Sequence, residues 1–145
     1  MEMKGGETVR QGGCLCGAVR YEVRGPMRGV VNCHCDMCRR LHGAFGAYTK
    51  VENSDLSLVE EAGLAWYASS DKARRGFCRA CGASLFWQPS GAQTTSIAAG
   101  TLDSPSGLVT IGHIFTAEKG DFYDIADDLK KFPGSADGKM DTTGA

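Results

Sequence analysis

Seven cysteines fall in three groups along the chain: Cys14 and Cys16, then Cys33, Cys35 and Cys38, then Cys78 and Cys81. Thiols one or two residues apart can reach a single soft cation, and a closed tetrahedral zinc takes four of them. The two outer pairs supply four. Cys14, Cys16, Cys78 and Cys81 are therefore expected to form a structural zinc site, which leaves Cys33, Cys35 and Cys38 with one coordination position to spare, as in a catalytic zinc. Two other partitions stay open. One joins the central group to a single outer cysteine; the other closes the central site with His42, which follows Cys38 by four residues and would share its helix face.

Charge then selects among chemistries. Three thiolates on a dication leave a net negative site, a weaker Lewis acid than one held by neutral imidazoles and less able to ionise water, so hydrolysis is disfavoured. Such an ion accepts a fourth sulfur and holds it as thiolate near neutral pH. The reaction expected is the making or breaking of a carbon–sulfur bond between a small thiol and an electrophile such as an aldehyde. The rival is a non-enzymatic binding module whose two metals only hold its sheets together.

Turns and strand ends must carry these thiols. Thr8 to Arg10 and Ala18 to Val23 read as two strands joined through the Cys14-Leu15-Cys16-Gly17 turn. Met27 to Asn32 reads as a strand delivering the central group, with Cys33 and Cys35 on one face and His34 turned away from the metal. Asp36 is the expected N-cap of a short helix from Met37 to His42 that stops at Gly43. Phe45 to Val51, Leu56 to Val59, Leu64 to Ala68, Leu85 to Trp87, Thr94 to Ala99 and Leu108 to Phe115 read as further strands between turn-rich segments. Cys78-Arg79-Ala80-Cys81-Gly82 has the form of a zinc knuckle, with Gly82 able to take the positive φ that ends it. Lys72, Arg74 and Arg75 read as a solvated basic edge, and Phe122 to Pro133 as an edge segment plus a helical turn. The fold class expected is mainly β: antiparallel sheets pinned by zinc, with one short helix after the central cysteine cluster.

A chain of 145 residues supports one hydrophobic core, so residues 1–133 are expected to form a single zinc-binding domain and the polar, glycine-rich 134–145 a loosely ordered C-terminal tail. Twenty glycines against four prolines favour short strands and tight turns over long helices. A formal net charge of -1 gives no reason to expect a nucleic-acid partner. No apolar run approaches the roughly 20 residues needed to span a bilayer, and Met1 to Glu7 lacks the apolar segment of a secretion signal. A cytoplasmic protein is expected. In a reducing compartment an odd number of cysteines argues for metal ligation over a disulfide framework.

Five motifs, in order, resemble those of a known family: Gly13-Cys14-Leu15-Cys16-Gly17-Ala18-Val19-Arg20-Tyr21; Cys33-His34-Cys35 with Cys38-Arg39-Arg40 and Gly43; Phe77-Cys78 with Cys81-Gly82; Ala99-Gly100-Thr101-Leu102-Asp103; and His113-Ile114-Phe115. The family is the one named for glutathione-dependent formaldehyde-activating enzyme and centromere protein V, and the likeness runs from about residue 12 to residue 133. The resemblance implies a β-tent fold, a structural zinc on the outer four cysteines and a second, catalytic zinc on Cys33, Cys35 and Cys38. It also implies a carbon–sulfur lyase that combines glutathione and formaldehyde into S-hydroxymethylglutathione. On that reading Arg39 and Arg40 are candidates to attract the glutathione carboxylates, the alternative being a solvated helix face. His113 is a candidate proton shuttle at the open zinc, the alternative being a hydrogen-bonded sheet histidine. Phe122-Tyr123 stands where the resemblance leads one to expect a tryptophan, a departure expected to affect packing alone.

Overall fold

The computed structural model describes residues 9–140. Short alternating segments cut by glycine and polar turns leave no length for long helices, and the chain forms strands β1 (Val9–Gly13), β2 (Arg20–Arg24), β3 (Val30–Cys33), β4 (Gly46–Glu52), β5 (Leu56–Glu60) and β6 (Leu64–Ser70). These are followed by β7 (Ala73–Cys78), β8 (Ser84–Pro89), β9 (Thr94–Ala98), β10 (Thr110–Ile114) and the two-residue β11 (Lys130–Lys131). The α-helix α1 (Asp36–His42) follows β3 directly. No helix among the described residues is long and apolar enough to cross a membrane. Residues 1–8 of the expected domain and 141–145 of the expected tail lie outside the described residues.

The strands make a three-stranded sheet, β1-β2-β5, and an eight-stranded sheet ordered β11-β10-β3-β4-β9-β8-β7-β6. The expectation of purely antiparallel sheets is corrected here: β10 runs parallel to both β3 and β11. Antiparallel sense is imposed by tight hairpins, and the 3-10 connection is not one, since most of the chain lies between those strands. The helical turn expected within 122–133 is likewise absent; that stretch is irregular apart from β11, which does lie at the sheet edge.

Alternation on β2 sends Tyr21 and Val23 inward, where they meet Val51 of β4, Cys78 of β7, Leu85 and Phe86 of β8, and Ile97 of β9. The small sheet thus packs on the β4–β9–β8–β7 region of the large one. Leu85 and Ile97 are fully buried, each such side chain stabilising the fold by about 1.5–3 kcal/mol. A second cluster lies at the other end of the large sheet, where Val31 of β3 packs against Ala136 and Met140. Residues 134–140 therefore run back against β3 and form one wall of the region described next.

Candidate metal centres and the cavity beside one of them

Two turns distant in sequence make the first centre. The β1–β2 loop carries Cys14 and Cys16, the β7–β8 turn carries Cys78 and Cys81, and the four Sγ atoms lie within 4.8 Å of one another. Cys14 and Cys16 are 3.8 Å apart and Cys16 and Cys78 3.7 Å apart at sulfur. A tetrahedron with zinc–sulfur arms of ~2.3 Å has edges of ~3.75 Å, so this donor set fits an ion of that size. Backbone amides stabilise the thiolates: Val19 N–H donates to Cys14 Sγ at 3.2 Å and Cys81 N–H to Cys78 Sγ at 3.4 Å. Amide donors from Ala83 and Cys16 lower the Cys81 thiol to about 6. Gly82 has φ 80°, the positive value the knuckle requires.

The second centre is built where β3 runs into α1. Cys33, Cys35 and Cys38 also place their sulfurs within 4.8 Å of one another. The helix is capped by Cys35 and not, as the sequence suggested, by Asp36: Cys35 Sγ accepts from the Cys38 N–H at 3.3 Å. Asp36 instead accepts from Arg39 Nη2 at 2.5 Å and Arg40 Nε at 3.2 Å. A carboxylate claimed by two guanidiniums is not needed as a cap when a sulfur already stands there. Gly43 ends the helix as expected, with φ 95° and its N–H bonded to the Arg39 carbonyl. Thiols this close cannot all ionise without a cation among them. Hydrogen bonds from Cys33 and Cys38 hold the Cys35 thiol down at about 2, whereas the Cys33 thiol is pushed up by Cys35, by Cys38 and by burial.

None of the three histidines completes the three-sulfur group. His42 Nε2 is bonded to the Tyr48 hydroxyl at 2.7 Å. His34 points away from the sulfurs, as expected, and is buried. Its Nε2 lies 2.9 Å from His113 Nδ1, and His113 Nε2 lies 2.9 Å from Asp127 Oδ2. Tyr123 Oη closes the chain 2.5 Å from His34 Nδ1. A carboxylate only accepts, so with both rings neutral it orders every bond: His113 donates to Asp127, His34 to His113, and Tyr123 to His34. Burial, reinforced by His113 and Lys119, lowers His34 to about 4, which keeps it neutral. His113 is thus tied at both nitrogens by side chains. Tyr123 does more than pack, because its hydroxyl anchors the residue between two of the sulfur donors.

A cavity of about 530 Å³ opens beside the second centre, and Cys33, Cys35 and Cys38 all line it. The four outer cysteines do not. Its other walls include Tyr48 of β4, Arg75 of β7, Trp87 of β8 and Met140. Arg39 and Arg40, held by Asp36 on the helix exterior, are not among its lining residues, and neither is His113. Arg75 is the residue that reading the sequence misplaced. It turns inward, with Nη1 donating to the Tyr48 hydroxyl at 3.2 Å and Nη2 standing 3.8 Å from Cys38 Sγ. Strand parity carried a signal, because Arg75 alternates with Ala73 and Phe77, apolar neighbours that mark a covered face. Arg74, of opposite parity, lies outward over the Trp66 ring at 3.8 Å.

Residues 9–118 match the family model described as glutathione-dependent formaldehyde-activating enzyme. An uncharacterized lyase of Schizosaccharomyces pombe is 28% identical over 124 residues, covering 84% of this chain and 89% of that protein. A crystal structure of a Rhodobacter sphaeroides protein superposes with a TM-score of 0.57 at 31% identity, over 71% of this chain and 98% of its own. With the family model matched over residues 9–118, well over half of the chain, the chain belongs to the glutathione-dependent formaldehyde-activating enzyme family.

Proposed function

We propose that the protein is a zinc-dependent carbon–sulfur lyase acting on a small thiol of the glutathione type and its aldehyde adduct, with a β-tent fold and a cytoplasmic site of action. The observation that carries this reading is the unequal placement of the two sulfur clusters. The four-sulfur group stands clear of the cavity, and the three-sulfur group forms part of its wall. A cavity of this volume lies in the range of small-molecule sites. When bound to three thiolates, zinc supplies an acceptor for one further sulfur and favours its thiolate form near neutral pH.

The residues of the chain have separate tasks in this scheme. Cys33, Cys35 and Cys38 form the catalytic centre; Cys14, Cys16, Cys78 and Cys81 hold a structural ion. The Tyr48 hydroxyl accepts from Arg75 and is hydrogen-bonded to His42 Nε2, which keeps that imidazole away from the sulfurs. Addition of a thiolate to formaldehyde sends the sulfur electron pair to the carbonyl carbon and the π pair to oxygen. That oxygen takes a proton equivalent to the one the thiol released, and the reverse breaks the carbon–sulfur bond and returns both. Spectroscopy of the cobalt-loaded protein tests the reading: glutathione should shift the d–d and charge-transfer bands, and the protein should accelerate exchange between glutathione–formaldehyde adduct and free reactants. Insensitivity in both assays would favour the binding-module alternative.

A further inference from the structure

Arg75 is held half out of water without a carboxylate partner among the described residues. Its side chain comes from the middle of β7, with Tyr67 on one flanking strand and Trp87 on the other as register partners. The guanidinium has one neutral ligand, the Tyr48 hydroxyl at 3.2 Å, and one sulfur, Cys38 Sγ at 3.8 Å. Its Nε is buried with no hydrogen-bond partner. Removing a cation partly from water is costly unless an opposite charge compensates it. Among the described residues, the group that its guanidinium contacts and that can carry such charge is the sulfur cluster, through Cys38 Sγ. Three thiolates around a dication sum to one negative charge; a fourth thiolate would raise it to two, in a cavity where like charge is poorly screened.

We propose that Arg75 is the specificity-determining counter-cation of the three-sulfur centre, favouring a fourth ligand that is an anionic sulfur over one that is neutral. This rests on the reading that Cys33, Cys35 and Cys38 hold a divalent ion with an exchangeable position. The guanidinium suits the task because it never loses its charge and presents two nitrogens in a fixed plane, one spent on Tyr48 and one left beside the sulfurs. It acts on the charge of the ligand and not on the identity of the thiol, so thiols with and without carboxylates should benefit alike.

The test uses cobalt(II)-loaded protein and follows ligand binding by absorption, with wild type, Arg75→Met and Arg75→Lys titrated with glutathione, 2-mercaptoethanol and imidazole. Arg75→Met is expected to weaken both thiols at least about tenfold and to leave imidazole within about twofold. Arg75→Lys should recover part of the thiol affinity, since it restores charge without the fork. Equal thiol affinity in wild type and Arg75→Met overturns the proposal while leaving the thiol site intact. Loss for glutathione alone also overturns it, and reassigns Arg75 to binding a carboxylate. A wild-type spectrum that no thiol alters removes the underlying reading of the centre itself. If Arg75→Met does not load cobalt, Arg75→Gln, which keeps a donor for Tyr48, takes its place. Failure of both to load shows that Arg75 assembles the cluster, and the selectivity proposal is then wrong.

Discussion

Cys35 and Cys78 carry the same thiol into different surroundings. Cys78 is fully buried in the main core, whereas Cys35 caps a short helix at a cavity wall. Replacing Cys78 by serine should leave a buried hydroxyl among sulfurs and collapse the domain, seen as loss of both metal equivalents and of the near-ultraviolet circular dichroism. Cys35→Ser should release one equivalent and leave a folded protein; unfolding of that variant would make the central site structural as well. Tyr123 gives a finer test. Its hydroxyl supplies the donor to His34 Nδ1, so Tyr123→Phe leaves a buried acceptor unmatched. The expected cost is about 1–3 kcal/mol in denaturant unfolding. If packing were its whole contribution, the phenylalanine variant would match wild type.

At the level of elements, two glycines hold the centres in place for different reasons. Gly43 has φ 95° and open space where a Cβ would stand, so Gly43→Ala introduces backbone strain without a clash. That costs about 1–2 kcal/mol, and because it loosens the end of α1 it should weaken metal binding at the three-sulfur centre first. Gly63, between β5 and β6, presents the opposite case. A Cβ there would stand 2.7 Å from the Ala18 Cβ and 2.9 Å from Cys78 Sγ, so Gly63→Ala crowds the four-sulfur centre directly. Competition with a chromogenic chelator, applied to the two variants, should show the opposite order of metal loss. The same loss order in both would mean that the elements do not act on their own centres.

For the molecule as a whole, the four-sulfur centre is proposed to act as a clasp. Its members Cys16 and Cys78 are 62 residues apart in sequence, and an ion that ties them closes a long loop of the unfolded chain. The three-sulfur centre spans only a strand end and a helical turn. Graded chelation should therefore proceed in two stages: one equivalent leaves with little change in far-ultraviolet circular dichroism, and the second leaves together with tertiary structure. A single concerted stage would show that both ions support the fold equally. What the amino-acid sequence determined by itself was local. Residue spacing within turns limits which sulfurs can converge, so Cys33, Cys35 and Cys38 were separable from the outer four, and alternation with glycine breaks located most strands. Which cluster faces a cavity was decided by packing, since the walls come from β4, β7, β8 and residues 135–140, brought together by side-chain burial between segments far apart in the chain. The parallel pairing of β3 with β10 and the His34–His113 contact belong to the same class. Spacing along the chain carries no record of them, because each depends on the partner that a distant segment presents once the core has closed.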